Sequence, residues 1–173
     1  LRLAGVYQPC NAAMAVEAAR ILRGKGFDTP DSAIKNGLEA TTWPARFEVV
    51  AHRPTTIVDG GHNEQGARVL AKSLQEYFPE GGVTFVMSVL RDKDYRAMIE
   101  CVLPFARRVF VAAPPDNDRA LSADELADAI REVQKEKGSA YASCVAEAFV
   151  ESCPSVHLAV LRARETAGSD GVV

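Results

Sequence analysis

The densest chemistry in the sequence lies in five residues, Asp59-Gly60-Gly61-His62-Asn63. A carboxylate ends the apolar run TTIVD (Thr55 to Asp59), two glycines follow, and an imidazole and an amide stand where a helix should begin. Glycines let the backbone turn tightly, and the free N–H groups of a helix start favour anions. A carboxylate at a strand end can accept both hydroxyls of a ribose, and His62 can donate to a phosphate. The spacing fits equally well an Asp59 that only caps the helix beside a plain glycine turn. Arg46, just ahead of a second strand, is the next candidate, because a guanidinium forks onto a phosphate and keeps its charge at any working pH. A solvated surface arginine is its plainer reading. Asp92-Lys93-Asp94 is expected on the same sheet edge, most simply as a charge cluster in which Asp94 caps the following helix. Trp43 reads as a packing anchor, and His52 and His157 join no constellation.

These side chains need a scaffold, and the hydrophobic pattern supplies one. Leu1 to Tyr7 reads as a short strand. Asn11 to Arg23 places Met14, Ala18, Ile21 and Leu22 at helical spacing and stops at Gly24. A short helix from Asp31 through Leu38 follows Thr29-Pro30. From Trp43 onward the pattern alternates. Strands are expected at Phe47 to His52, Thr55 to Asp59, Val83 to Val89 and Arg108 to Ala113. Helices are expected at His62 to Tyr77, from Asp94 to about Val102, and from the capping box Ser122-Ala123-Asp124-Glu125 to about Lys137. The tail reads as a possible strand at Ala140 to Ser143, helical material to Ala167, and a strand beginning at Val172. The expected fold is α/β, a three-layer Rossmann-like sheet, mostly parallel, with right-handed crossovers and ligands at the carboxyl ends of the strands.

The chain has 173 residues, 47% hydrophobic and 25% charged, enough for one domain and a modest appendage. Its 20 basic and 23 acidic residues leave a net charge of −3 with no dense basic block, so neither nucleic acid nor a membrane surface is an expected partner. No apolar run approaches the roughly 18 residues of a membrane span. Four cysteines without a C-x-x-C pair disfavour zinc and suit reduced thiols, so no metal site and a cytoplasmic location are expected. The sequence opens on Leu1 and closes on Val172-Val173 just after Gly168-Ser169-Asp170-Gly171, which reads as a piece of a larger protein cut as a strand begins. Neither a Walker-type phosphate loop nor G-x-G-x-x-G is present. A nucleotide site here would be half a site, with its main phosphate cradle in another domain.

In series, these segments resemble the folylpolyglutamate synthase and dihydrofolate synthase family, a branch of the Mur ligase superfamily. Trp43-Pro44-Ala45-Arg46-Phe47-Glu48 is similar to the family's W-P-G-R-L-E, and Asp59 to Asn63 to its D-G-A-H-N-P. Leu90-Arg91-Asp92-Lys93-Asp94 resembles L-x-D-K-D, and Arg119-Ala120 with Glu125-Leu126 resembles a later R-A…E-L stretch. Gly5 to Ala12 is similar to G-x-H-Q-x-x-N-A, the segment that closes the family's central ATPase domain. Tyr7 stands where the family has histidine, Ala45 and Gly61 exchange small residues, and Glu64 replaces a proline at a helix start that should face phosphate. The family's closing G-S-x-x-L motif would begin just after Val173.

The resemblance implies that residues 1–42 end the central ATP-binding ligase domain and that residues 43–173 form the glutamate-ligase domain, its final strand truncated. It further implies an ATP- and Mg²⁺-dependent amide ligase joining L-glutamate to a folate through an acyl phosphate, with an N-terminal P-loop domain of the same protein as partner. Carried over by position, Asn11 lies near the adenine, Asp59 on the ribose and Arg46 on the phosphates. His62 is the catalytic candidate, near the phosphates and the incoming glutamate. The isolated piece is expected to be inactive. A Mur-type cell-wall ligase domain and a non-catalytic Rossmann-like phosphate-binding module are the alternatives.

Overall fold

The computed structural model describes residues 1–141 and 148–173. Two helices come first, α1 (Gln8–Gly24) and α2 (Asp31–Ala40). A hairpin of β1 (Glu48–His52) and β2 (Thr55–Val58) then leads into α3 (Glu64–Tyr77). After it follow β3 (Val83–Met87), α4 (Tyr95–Val102), β4 (Ala106–Val111), α5 (Ala123–Tyr141), β5 (Phe149–Ser152) and α6 (Val156–Ala167).

The strands β3, β4 and β5 form a parallel sheet in that order, while β1 and β2 pair antiparallel. Residues 171–173 join the two. The amide of Thr55 donates to the Gly171 carbonyl (3.0 Å), that of Ile57 to Val173 (2.8 Å), and that of Thr84 to Val172 (2.9 Å). The segment at Val172 therefore lies between β2 and β3, inside the sheet rather than at its edge.

The middle strand shows why a continuous apolar run folds this way. Val109 and Val111 pack into a core with Ile99, Leu126, Ile130 and Val133 from α4 and α5, while Phe110 and Ala112 pack with Ala159 and Ala163 of α6 on the other face. A period of two buries both faces of one strand, and helices on each side complete three layers. A third cluster, with Phe47, Ile57, Leu70, Leu74, Val83 and Phe105, packs α3 against the hairpin and β3.

Several expectations are corrected. Leu1 to Tyr7 is not a strand: residues 1–4 are irregular and 5–7 turn into α1. Among the described residues no strand pairs with this segment, which packs instead on α3 through the Tyr77 hydroxyl donating to the Ala4 carbonyl (2.8 Å). The end of α1 reaches Gly24, and Gly26, at φ 94°, is the residue that takes the left-handed conformation. Ala140 and Tyr141 belong to α5, and the rest of the strand expected there, residues 142 and 143, lies outside the described residues. Phe149–Ser152, expected to be helical, is a strand whose pairing to β4 supplies the partners a local pattern cannot show.

Local capping follows the sequence closely. Asp94 accepts from the Ala97 amide (3.0 Å), and Ser122 and Glu125 form the expected reciprocal box, 2.9 and 3.2 Å. Glu125 also receives both arms of Arg91 at 2.8 Å. The Arg91 hydrogen bonds first, then those from Ser122, lower its pKa from 4.5 to about 2. A depressed carboxylate contributes its stabilisation above its unfolded pKa and loses it as pH falls through the folded one. The cap at α5 is thus expected to weaken between about pH 4.5 and 2. A carboxyl NMR titration should place Glu125 near the lower value, and a midpoint near 4.5 would contradict the bidentate pair.

Candidate functional site

The site begins with how the chain leaves β2. Asp59 is half-buried and both its oxygens hold backbone: Oδ2 accepts from the Phe47 amide (2.9 Å) and Oδ1 from the Gly61 amide (2.8 Å). The Gly60 amide donates to the Ala45 carbonyl (2.7 Å), and the Ala45 amide to Glu48 Oε2 (2.8 Å). Arg46 is therefore flanked on both sides by bonds to Asp59 and Gly60. Bare backbone makes this approach feasible. A Cβ on Gly61 would stand 2.9 Å from Asp59 Oδ1, and one on Gly66 would stand 3.0 Å from Gly61 Cα.

Asp59 does not cap the helix. That role falls to Asn63, in extended conformation with Oδ1 accepting from the Gly66 amide (2.8 Å). Asp59 is left to brace the loop, each carboxylate oxygen retaining a second lone pair. His62 is exposed and its Nδ1 lies 3.1 Å from the Gly60 carbonyl oxygen, which suits a ring protonated at Nδ1 with Nε2 outward. Glu64 pairs with Arg68 one turn along α3 (2.8 Å to Nε), and this pairing holds its charge on the helix's own face.

Ala45 and Phe47 both sit in the left-handed region, at φ 55° and 49°. Ala45 occupies the glycine position of W-P-G-R, so the exchange is not free. A Cβ there costs about 1 kcal/mol relative to glycine. Ala45→Gly is expected to raise the melting temperature by roughly 2–3 °C. Differential scanning calorimetry checks this, and a lowered midpoint would contradict it.

A cavity of about 660 Å³ opens over this loop, lined by Asn11, Arg46, Asp59 and His62 among others. All four residues singled out from the sequence thus share one cavity. The sequence reading missed three further lining residues: Tyr7, Gln8 and Trp43. Trp43 is 61% exposed and lines the cavity instead of anchoring a core. Gln8 is only 6% exposed, and its Oε1 accepts from Asn11 Nδ2 (3.1 Å). Burial raises the Tyr7 pKa, the charge of Asp59 adds to the rise, and Arg46 and Gln8 partly offset it. A chemically silent tyrosine or glutamine carries no signal until tertiary structure sets it beside charges. A second cavity of about 80 Å³, lined by His62, Ser88, Lys93 and Pro114 among others, adjoins the carboxyl end of β3. His62 borders both cavities. Asp92 is paired with Arg119 (2.6 Å) and Lys93 (3.7 Å), as a solvated cluster would be. Among the described residues no group of three or more His, Cys, Asp or Glu could hold a metal ion.

A three-layer α/β domain with a cavity of mixed polar and apolar lining beyond the end of β2, and glycines admitting close backbone approach, defines a Rossmann-like class. Residues 45–173 match the Mur ligase, glutamate ligase domain family, and the chain belongs to it. It is 35% identical over 128 residues to the dihydrofolate synthase/folylpolyglutamate synthase of Bacillus subtilis, covering 73% of this chain and 30% of that protein. Against the Escherichia coli protein of the same name it is 30% identical over 177 residues, covering 94% and 40%. Among solved structures, Mycobacterium tuberculosis folylpolyglutamate synthase complexed with ADP aligns with a TM-score of 0.76 at 28% identity, covering 95% of this chain and 34% of that one. The bifunctional Yersinia pestis enzyme complexed with AMPPNP and Mn aligns at 0.71 and 28%, covering 90% and 33%. The chain spans about a third of the length of these relatives.

Proposed function

We propose that this chain is the C-terminal portion of an ATP-dependent ligase that joins L-glutamate to a folate. The observation that carries the reading is that the residues on either side of Arg46 are tied to the strand-end loop, Phe47 to Asp59 and Ala45 to Gly60, and that Arg46 lines one cavity with Asp59, Asn11 and His62. The donor set suits a nucleotide. Asp59 keeps acceptor capacity for ribose hydroxyls, Arg46 offers a fork to phosphate oxygens, and Asn11, its amide nitrogen committed to Gln8, presents Oδ1 to an exocyclic amine. Relatives crystallised with ADP, or with AMPPNP, Mn and L-glutamate, support this assignment.

In the proposed reaction a folate carboxylate attacks the γ-phosphorus, ADP leaves, and the glutamate amine then displaces phosphate from the acyl phosphate. Such transfer rests on positioning and charge stabilisation. Arg46 would neutralise charge developing on the phosphates. His62, between the large and the small cavity, would hold the acyl phosphate oxygens close to the incoming amine. Mg²⁺, when bound, would supply charge neutralisation at the phosphates; its protein ligands and the phosphate loop would come from the N-terminal P-loop domain, because among the described residues no group could hold it.

Residues 1–42 would then be the end of the central ATP-binding domain and residues 43–173 the glutamate-ligase domain. In support, the apolar stripe of α1 lies open, Met14 at 72% and Ile21 at 61% exposure. The described residues contain no helix long and apolar enough to cross a membrane; a cytoplasmic location is part of the proposed reading. The test is an assay of the intact ligase with dihydropteroate and with a reduced folate, each with glutamate and ATP. ADP release that requires both the folate and glutamate is expected. Nucleotide binding without such release would leave the phosphate-binding module instead.

A further inference from the structure

We propose that Gln8 is a positioning residue that makes the cavity select adenine over purines carrying oxygen at position 6, by locking the Asn11 amide with its oxygen toward the base. This rests on the nucleotide reading above and adds to it the device that chooses the base. Gln8 opens α1 and is 6% exposed, Asn11 one turn along is exposed, and both line the large cavity. Positions three apart on a helix are neighbours, and Asn11 Nδ2 donates to Gln8 Oε1 at 3.1 Å.

Two features set this bond apart from bonds that serve only the fold. Thr56, Ser73 and Gln134, also buried, each donate to a backbone carbonyl. Gln8 instead accepts from an exposed side chain of the site. Nor does the pair cap the helix: no side chain caps the start of α1, and an amide NH₂ is a donor where a helix start needs acceptors. What the bond does act on is the orientation of Asn11. A free asparagine amide has two roughly equivalent settings of its last torsion, one presenting NH₂ and the other oxygen. Packing rather than solvent holds the Gln8 side chain in place, and its oxygen accepts only the NH₂ end, so Oδ1 is the end of Asn11 left for a ligand. An adenine amine donates to that oxygen. The 6-oxygen of hypoxanthine or guanine would meet it acceptor to acceptor, and the lock keeps the amide from turning to relieve the mismatch.

The experiment is calorimetric titration of the intact ligase with ADP and with IDP, whose base carries oxygen at position 6. It compares wild type, Gln8→Met, Gln8→Glu, Asn11→Ala and the Gln8→Met/Asn11→Ala pair. Methionine matches the length of glutamine without a strong acceptor, and glutamate keeps one. Wild type is expected to bind ADP at least about tenfold more tightly than IDP, the size of one matched against one mismatched hydrogen bond. Gln8→Met should narrow that ratio to about twofold, Gln8→Glu should restore it, and Gln8→Met should leave the ratio unchanged once Asn11 is alanine. The ratio is read because a general loss of stability weakens both nucleotides alike. Equal wild-type affinity for ADP and IDP, a wild-type ratio in Gln8→Met, or a ratio as narrow in Gln8→Glu as in Gln8→Met would overturn the role of Gln8 and leave the nucleotide site standing. Unchanged affinity for both nucleotides in Asn11→Ala would instead overturn the nucleotide reading at Asn11, and this inference with it.

Discussion

Asp59→Ala is expected to lower stability by about 2–4 kcal/mol, because two backbone amides lose an ionised acceptor at once. Those amides belong to Phe47 and Gly61, the residues that fix the two sides of the loop. Phe47 also holds a left-handed backbone and stacks on Tyr77 with ring centroids 5.5 Å apart. Its conformation persists only while its surroundings over-determine it. The melting temperature should fall by roughly 5–10 °C. In the intact ligase the ATP KM should rise at least about tenfold, the proposed ribose contact and the backbone bonds beside Arg46 being lost together. Asp59→Asn should recover only part of this, since one amide would then meet an NH₂ group. Thermal melts alongside steady-state kinetics check it. A variant with wild-type melting and wild-type ATP KM would contradict the dual role.

Gly171→Ala carries the largest stability effect expected away from the cavity. A Cβ there would stand 2.2 Å from the Ala167 carbonyl oxygen and 2.8 Å from its carbon, both in the backbone of α6. Backbone cannot swing aside as the end of a flexible side chain can, so residues 171–173 or α6 must move. Those residues join the hairpin bearing Asp59 to the sheet bearing Ser88 and Lys93, through Thr55, Ile57 and Thr84. Overpacking of this kind costs about 3 kcal/mol. Chemical denaturation should show it as a lower midpoint with an unchanged slope. Hydrogen exchange should speed first at the amides of Thr55, Ile57 and Thr84. Unaltered exchange at those amides would show that the hairpin and sheet do not depend on the segment.

The parts of this structure legible in the sequence are those decided locally. The continuous apolar runs at β3 and β4, the Asp94 cap and the Ser122–Glu125 box depend on residues a few positions apart, and each stands where periodicity placed it. The runs that failed are decided at a distance. Phe149–Ser152 is four residues long with an exposed phenylalanine, and only its pairing with β4 makes it a strand. Val172 reads as the start of a strand, but not of one lying between β2 and β3. The candidate site divides the same way. Asp59, Arg46, Asn11 and His62 were found because they stand in recognisable motifs. Tyr7, Gln8 and Trp43 acquire meaning only when the start of α1 meets the turns that precede β1 and follow β2. Ala45 matters through a backbone angle that no residue pattern announces.

The most direct test of the central claim is a crystal structure of the intact ligase with ADP bound. The expected result places the ribose hydroxyls within hydrogen-bond distance of the Asp59 carboxylate, a phosphate on the Arg46 guanidinium and the adenine amine at Asn11 Oδ1. ADP bound with its ribose and phosphates away from both Asp59 and Arg46 would contradict it.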